Sequence, residues 1–396
     1  MKKFYYTICL MLFSATGFSQ WAALNSGTTT DLLAISFTDA NTGYAVGLWG
    51  TILKTSNSGT TWAPQTSGTS EFLDAVYFTN SSTGYAVGGN GVILKTINGG
   101  TSWSTQTSGT TNYLRSVFFT DANNGYVVGE SGIFLKTSDA GITWGAISSG
   151  TTSVLMSVYF TTADTGYAVG YNGTILKTTD SGTNWTMQIS GTTNALQSVY
   201  FTTPVIGYAV GWGGIILKTI NGGTNWTAQT SGTTNSLRSV NFSTVDTGYV
   251  VGGYGTIIKT INAGTTWTTQ TSGISYWLNS VYFTSINTGY AVGDTGQILK
   301  TTNGGVFIEE NQLAESAINI FPNPTTDNLT IETPEKTTIE IYNIEGQITL
   351  PASRQVKTIN TAEKQTTIDV SNLSSGIYII KAKTEKVVAV KKFIKE

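Results

Sequence analysis

Histidine is absent from the 396 residues, and the one cysteine is Cys9. That excludes a Ser-His-Asp triad, a Cys-His pair and a His-ligated zinc site. The chemistry left rests on carboxylates, amides, aromatic rings and a few cations. Asp74 with Glu71, Glu130 or Asp294 are the carboxylates that could pair for glycoside hydrolysis. Lys54, Lys95, Lys136, Lys177, Lys218, Lys259 and Lys300 recur at one fixed spacing. A residue repeated so regularly reads as a strand position whose stem packs and whose amine is solvated. No catalytic residue, metal ligand or cofactor is assigned. The remaining candidates form a binding set: Trp49, Tyr171, Trp212, Tyr254, Asp74, Arg115, Gln197, Arg238 and Asn279. Aromatic rings beside amides and isolated charges suit sugar stacking or protein hot spots.

The elements that must position these residues repeat. Gly43-Tyr44-Ala45-Val46-Gly47 recurs, with Val for Ala in two copies, from Gly84, Gly125, Gly166, Gly207, Gly248 and Gly289, a step of 41 residues each time. Leucine keeps the same step from Leu32 to Leu278, and phenylalanine from Phe37 to Phe283. Each unit reads as four short strands separated by Gly, Asn, Asp and Ser. In the first unit these are Leu32 to Phe37, Tyr44 to Leu48, Thr51 to Thr55 and Thr61 to Gln65. Four short strands at a period near 40 predict an all-β, seven-bladed β-propeller. The strand-four tryptophan of units one to six runs from Trp62 to Trp267, and the seventh position holds Ile308. One step before Trp62 stands Trp21, so residues Gln20 to Asn25 should supply the missing strand beside Gln297 to Thr302.

Between strands three and four lies a fixed turn, Thr55-Ser56-Asn57-Ser58-Gly59-Thr60-Thr61-Trp62, or Thr137-Ser138-Asp139-Ala140-Gly141-Ile142-Thr143-Trp144 in the third unit. It resembles the Asp-box of BNR propellers. An Asp or Asn can accept turn N–H groups, glycine takes the left-handed position and Trp packs over the hairpin. The acidic position is Asn57, Asn98, Asp139, Asp180, Asn221, Asn262 and Asn303, a mainly neutral set that reads as structural. The whole unit resembles the plant and cyanobacterial photosystem II assembly-factor propellers, over residues 21 to about 305. That resemblance implies a fold and a protein-binding surface, Arg-rich in that family. The propeller here has only Arg115 and Arg238. Sialidases also carry Asp-boxes, but their three-arginine grip on a carboxylate cannot be built from two.

Both ends of the chain read as delivery signals. Lys2 and Lys3 precede the apolar run Phe4 to Phe13, which predicts a signal peptide over 1–19, cleaved before Gln20 or, as the rival cut, before Trp21. No other apolar run approaches a membrane span of roughly 20 residues. After the propeller, placed at 20–308, Glu309-Glu310-Asn311-Gln312 opens a linker over 309–316. Residues 317–396 show six or seven short strand patterns, which predict a small Ig-like β-sandwich. Phe321-Pro322-Asn323-Pro324, Ile341-Tyr342-Asn343, Leu373-Ser374-Ser375-Gly376-Ile377-Tyr378 and the basic end Lys391-Lys392 resemble the type A sorting domain of type IX secretion in Bacteroidota. The resemblance implies the type IX secretion machinery as a partner, passage across the outer membrane, removal of this domain, and release or surface anchoring. Net charge is −2, and charged residues are 11% against a usual share of about 25%. No field therefore recruits nucleic acid or an anionic membrane.

The repeat breaks mainly on one face. The pairs between strands two and three vary, from Leu48-Trp49 to Asp294-Thr295. So do the strand-four-to-one connections, with Phe72, Tyr113, Tyr276 and Trp277, and the start of strand one: Leu33, Asp74, Arg115, Met156, Gln197, Arg238, Asn279. The Asp-box face is nearly uniform. Variation around one channel mouth is where a site belongs. The sequence therefore predicts a secreted or surface-displayed, non-catalytic binding or scaffold module with a glycan or protein ligand. The alternative is a glycoside hydrolase or sialidase-like enzyme acting on extracellular polysaccharide.

Overall fold

The computed structural model describes residues 20–305, 318–332, 337–343, 357–359, 365–383 and 388–396. The expected signal peptide and the linker 309–316 lie outside the described residues. Two compact units part between Val306 and Phe307.

The first unit holds seven four-stranded antiparallel sheets, in chain order from the inner strand outward in six of them. Blade one consists of Leu32–Phe37, Gly43–Gly47, Ile52–Thr55 and Ala63–Gln65. Its second strand is buried at every position, because neighbouring blades cover both faces of the sheet. In blade seven the outermost strand is Ala22–Leu24, paired with Lys300, Leu299 and Ile298. Trp21 fills the empty tryptophan column, 0% exposed and edge-on to Tyr249 and Phe283. The ring thus closes on a strand from the start of the propeller.

The Asp-box turns close on side chains. Thr55 Oγ1 accepts the Gly59 N–H and Asn57 Oδ1 accepts the Thr61 N–H, each at 2.9 Å. Ser58 and Gly59 take left-handed conformations, φ 56° and 80°. The repeated lysine amines, expected to be solvated, are half-buried and each bonds a backbone carbonyl instead. Lys54 Nζ donates to Gly99 O in the next blade's Asp-box turn at 2.7 Å, and Tyr44 Oη donates to the same carbonyl at 2.8 Å. Every blade repeats this clamp, and Lys300 with Tyr290 closes the ring onto Ser58 O. A carbonyl with two lone pairs can take both donors, so each turn is pinned from outside its own blade.

At the opposite end, the strand-two-to-three hairpin closes through its backbone. Thr51 N–H donates to Leu48 O at 3.1 Å. Trp49 (φ 56°, ψ 36°) and Gly50 (φ 65°) form the corner, as in a primed type I turn, between the strand ends read at Leu48 and Thr51. Gly50 is obligatory, since a Cβ there would lie 2.0 Å from Thr69 O.

The described residues of the C-terminal unit form two antiparallel sheets. One holds Asn319–Phe321, Asn328–Glu332 and Gln365–Asp369; the other Lys357–Ile359, Thr337–Asn343, Gly376–Lys383 and Val388–Lys395. Leu329 and Ile331 from the first and Ile339, Ile341, Ile380 and Phe393 from the second share one core. The strand at Lys357–Ile359 was not anticipated in the sequence pattern.

Candidate binding site at the channel mouth

Each inner strand slips register once, at its channel-mouth end. In blade three the slip falls between Leu114 and Ser116, leaving Arg115 as the extra residue of a bulge. A bulge re-aims one side chain. The same slip sits at Leu33, Asp74, Met156, Gln197, Arg238 and Asn279. All seven bulge residues therefore line one cavity of about 190 Å3. Asp74, Arg115, Gln197, Arg238 and Asn279, expected as site residues, do come together there.

The cavity is electrostatically uneven. Arg115 donates to Asp74 at 3.0 Å and to Glu130 at 2.5 Å, with its guanidinium 4.6 Å over the Tyr113 ring. Burial opposes the Arg115 charge, yet Asp74 and Glu130 together hold its pKa above the ordinary value. Burial pushes the Asp74 carboxyl up, and Arg115 only partly counters it. Asn279 Nδ2 donates to Leu32 O and to Asp294 Oδ1, both at 3.0 Å. Arg238 differs. It makes no salt bridge among the described residues; like Arg115 it leaves its Nε without a partner and stacks on a ring, 4.7 Å over Trp277. Burial lowers its pKa, against a smaller pull from Asp294. Gln197 is 7% exposed and its Nε2 has no acceptor.

Sequence reasoning missed the residues after each bulge. Ser116, Ser157, Ser198, Ser239 and Ser280 also line the cavity. Each Oγ accepts a backbone N–H from the next blade, as Ser116 does from Val158 at 3.2 Å and Ser280 from Ile35 at 3.4 Å. Serine at five of seven equivalent positions was the available signal. Two residues further down the strands, Tyr77, Phe118, Tyr159 and Tyr200 stand in a row with successive ring centroids 5.2–5.3 Å apart.

The four expected aromatics stand outside the cavity lining. Trp49 and Tyr254 are the corner residues of their turns, 68% and 71% exposed. Both adopt a left-handed backbone that a large side chain enters only at a cost of about 1–2 kcal/mol. Tyr171 and Trp212 precede their corners and tilt together at 5.5 Å. Trp49 meets Phe72 edge-on at 5.3 Å, and Phe72 lies 6.2 Å from Tyr113. Tyr254 lies 6.3 Å from Trp277. Rows of rings thus connect rim to cavity through Tyr113–Arg115 and Trp277–Arg238.

Residues 65–152, 143–232 and 224–317 match the family model of the photosynthesis system II assembly factor YCF48, together more than half of the chain. The chain belongs to the YCF48 family. Residues 319–396 match the secretion system C-terminal sorting domain, which assigns this YCF48-family chain to type IX secretion, toward the outside or surface of the cell. Similar solved structures include one described as YCF48 bound to D1 peptide: 22% identity, 72% of this chain and 96% of that one, TM-score 0.63. YCF48 from Cyanidioschyzon merolae follows at 20% identity, 71% and 98% coverage, TM-score 0.62. The GH74 enzyme of Niastella koreensis is 14% identical over 79% of this chain and 59% of that one, TM-score 0.59. At such identities these likenesses show the propeller fold. No curated protein sequence matches the chain. Among the described residues no helix is long and apolar enough to cross a membrane, and no cluster of His, Cys, Asp or Glu could hold a metal ion.

Proposed function

We propose that this YCF48-family propeller is an exported, non-catalytic binding module that captures a glycan or protein ligand at its channel mouth. The observation that carries this reading is the gathering of repeat-breaking residues at that mouth, charged and amide groups inside and exposed rings on the rim. Backbone held in sparsely populated regions tends to mark function, and Trp49 and Tyr254 are such cases. The family relative solved with a D1 peptide supports a protein-binding use of the fold. Asp74 and Glu130 share one guanidinium, which favours a structural network over the separated acid and nucleophile of a hydrolase. In delivery, 1–19 would be removed before Gln20, the propeller 20–308 would follow, and the domain 317–396 beyond the linker 309–316 would be cleaved after translocation, leaving a released or anchored product.

The test is capture on a glycan array and from extracellular protein, using the full chain. Trp212→Ala and Trp49→Ala should each weaken a captured ligand by about 1–2 kcal/mol. Ile220→Ser and Ile261→Ser, exposed on the Asp-box face, should leave it unchanged. The reverse pattern would move the site to that face.

A further inference from the structure

On the channel-mouth face, outside the central cavity, a groove of about 770 Å3 opens between the connections that enter and leave blade six. Equivalent grooves of about 730 and 670 Å3 lie on blades two and three. Among these three, blade six alone is walled by two exposed aromatic rings, Tyr254 and Tyr276. Blade two holds Asn90 and Asn112 at those repeat positions. Its groove also carries Glu71, where blade six has Asn235. No lysine, arginine, aspartate or glutamate lines the blade-six groove. Its main-chain groups are largely taken: Gly255 N–H donates to Tyr276 O at 2.7 Å, Thr256 N–H to Gly253 O, and Thr233 O accepts Ser231 Oγ. The first of these bonds ties the two ring-bearing turns together. Asn235 Nδ2 donates to Thr256 Oγ1 at 2.8 Å, which fixes the amide and leaves its Oδ1 to accept. The hydroxyls of Thr269 and Ser275 are exposed in the lining. Tyr254 keeps its ring there on a left-handed backbone, φ 55°, that the asparagine of blade two enters more easily.

We propose that the blade-six groove binds a neutral oligosaccharide segment, with Tyr254 and Tyr276 stacking on pyranose faces and Asn235 and the lining hydroxyls bonding the sugar hydroxyls. The inference deepens the binding reading above, on the same face, and rests on it. A pyranose has a flat C–H face that lies on an aromatic ring and an edge of hydroxyls that both donate and accept. Exposed rings beside an amide and hydroxyls match those two surfaces. An anionic sugar would find no counter-ion in this lining, and stripping water from an unpaired charge is costly. A peptide strand would find few main-chain groups left to pair with. The volume falls within the roughly 300–1,000 Å3 of ligand sites. It is about four times that of the central cavity, which suits several sugar units rather than one.

The experiment is isothermal titration of the full chain with laminarihexaose, mannohexaose and cellohexaose, and with hexagalacturonate as the anionic counterpart. At least one neutral hexaose should bind saturably, and hexagalacturonate about tenfold more weakly or not at all. The double variant Tyr254→Asn, Tyr276→Asn gives blade six the residues of blade two, so it should fold and lose about tenfold in affinity. Tyr254→Phe keeps the ring and should stay near the parent. No binding of any neutral hexaose, equal binding of hexagalacturonate, or parental affinity in the double variant would overturn the site. If the double variant does not fold, the comparison of neutral with anionic hexaose on the parent chain decides alone. Capture of a ligand that depends on Trp49 and Trp212 but not on Tyr254 and Tyr276 would overturn this inference and leave the binding face standing.

Discussion

At the Asp-box face, side chains complete the backbone. Thr55 and Asn57 cap their own turn, and Tyr44 with Lys54 reaches over to hold the turn of the next blade. At the channel mouth the hairpin closes through Thr51 N–H and Leu48 O, with Gly50 supplying the second corner. There a side chain has no bond to make for the fold, so Trp49, Asn90, Ser131, Asn172, Gly213, Tyr254 and Thr295 can share one backbone position. Fidelity of a repeat column thus measures how much of the fold depends on its side chain. The Asp-box face still varies at one open column, where Ile97, Ile220 and Ile261 are exposed.

Both faces depend on the closed ring, so the largest expected effect is common to them. Trp21→Ala should cost about 3–5 kcal/mol in thermal or denaturant unfolding, as truncation of a buried aromatic usually does. A variant as stable as the parent would mean that the blade-seven strand is not needed for closure. Next comes the clamp, which sharpens the contrast. Tyr126→Phe and Lys136→Met each remove one of the two donors to Ser181 O. Each alone should cost about 1 kcal/mol. Together they should cost more than the sum, because only the double variant strips the carbonyl of both donors. Strict additivity in the double-mutant cycle would refute a shared acceptor. The smallest effect has the opposite sign and belongs to the mouth. Trp49→Asn should raise stability by up to about 1 kcal/mol, since Asn tolerates the left-handed corner. The same change should weaken ligand capture. A loss of stability instead would mean that the Trp49–Phe72 contact outweighs the backbone strain.

Most of the fold was legible because its determinants are local and repeated. Trp21 falling in register with Trp62 was enough to place the closing strand, and the Asp-box spacing was enough to place its turn bonds. The lysines were misread because their partners lie 45 residues onward, in another blade, and spacing within one unit gives no sign of them. The candidate site was half legible. The column from Leu33 to Asn279 showed that something varied, but a bulge leaves no residue-type signature, so the convergence of all seven residues on one cavity could not be read off. The serines behind them looked like ordinary strand polar residues.

By itself the sequence determined the number of blades, the closure and the turn chemistry, because each follows from periodicity or from contacts a few residues apart; the delivery domain was legible through motifs that resemble a known sorting domain. Only the tertiary structure decided which charges are paired. Arg115 and Arg238 are equivalent by sequence, 123 residues apart at the same repeat position. One is neutralised by Asp74 from the neighbouring blade and by Glu130 from its own, while the other lines the cavity stacked on an aromatic ring, with no salt bridge among the described residues and only a longer-range pull from Asp294. Pairing of charges depends on distances of a few ångströms between blades, and seven-fold closure, not the order of residues, sets those distances.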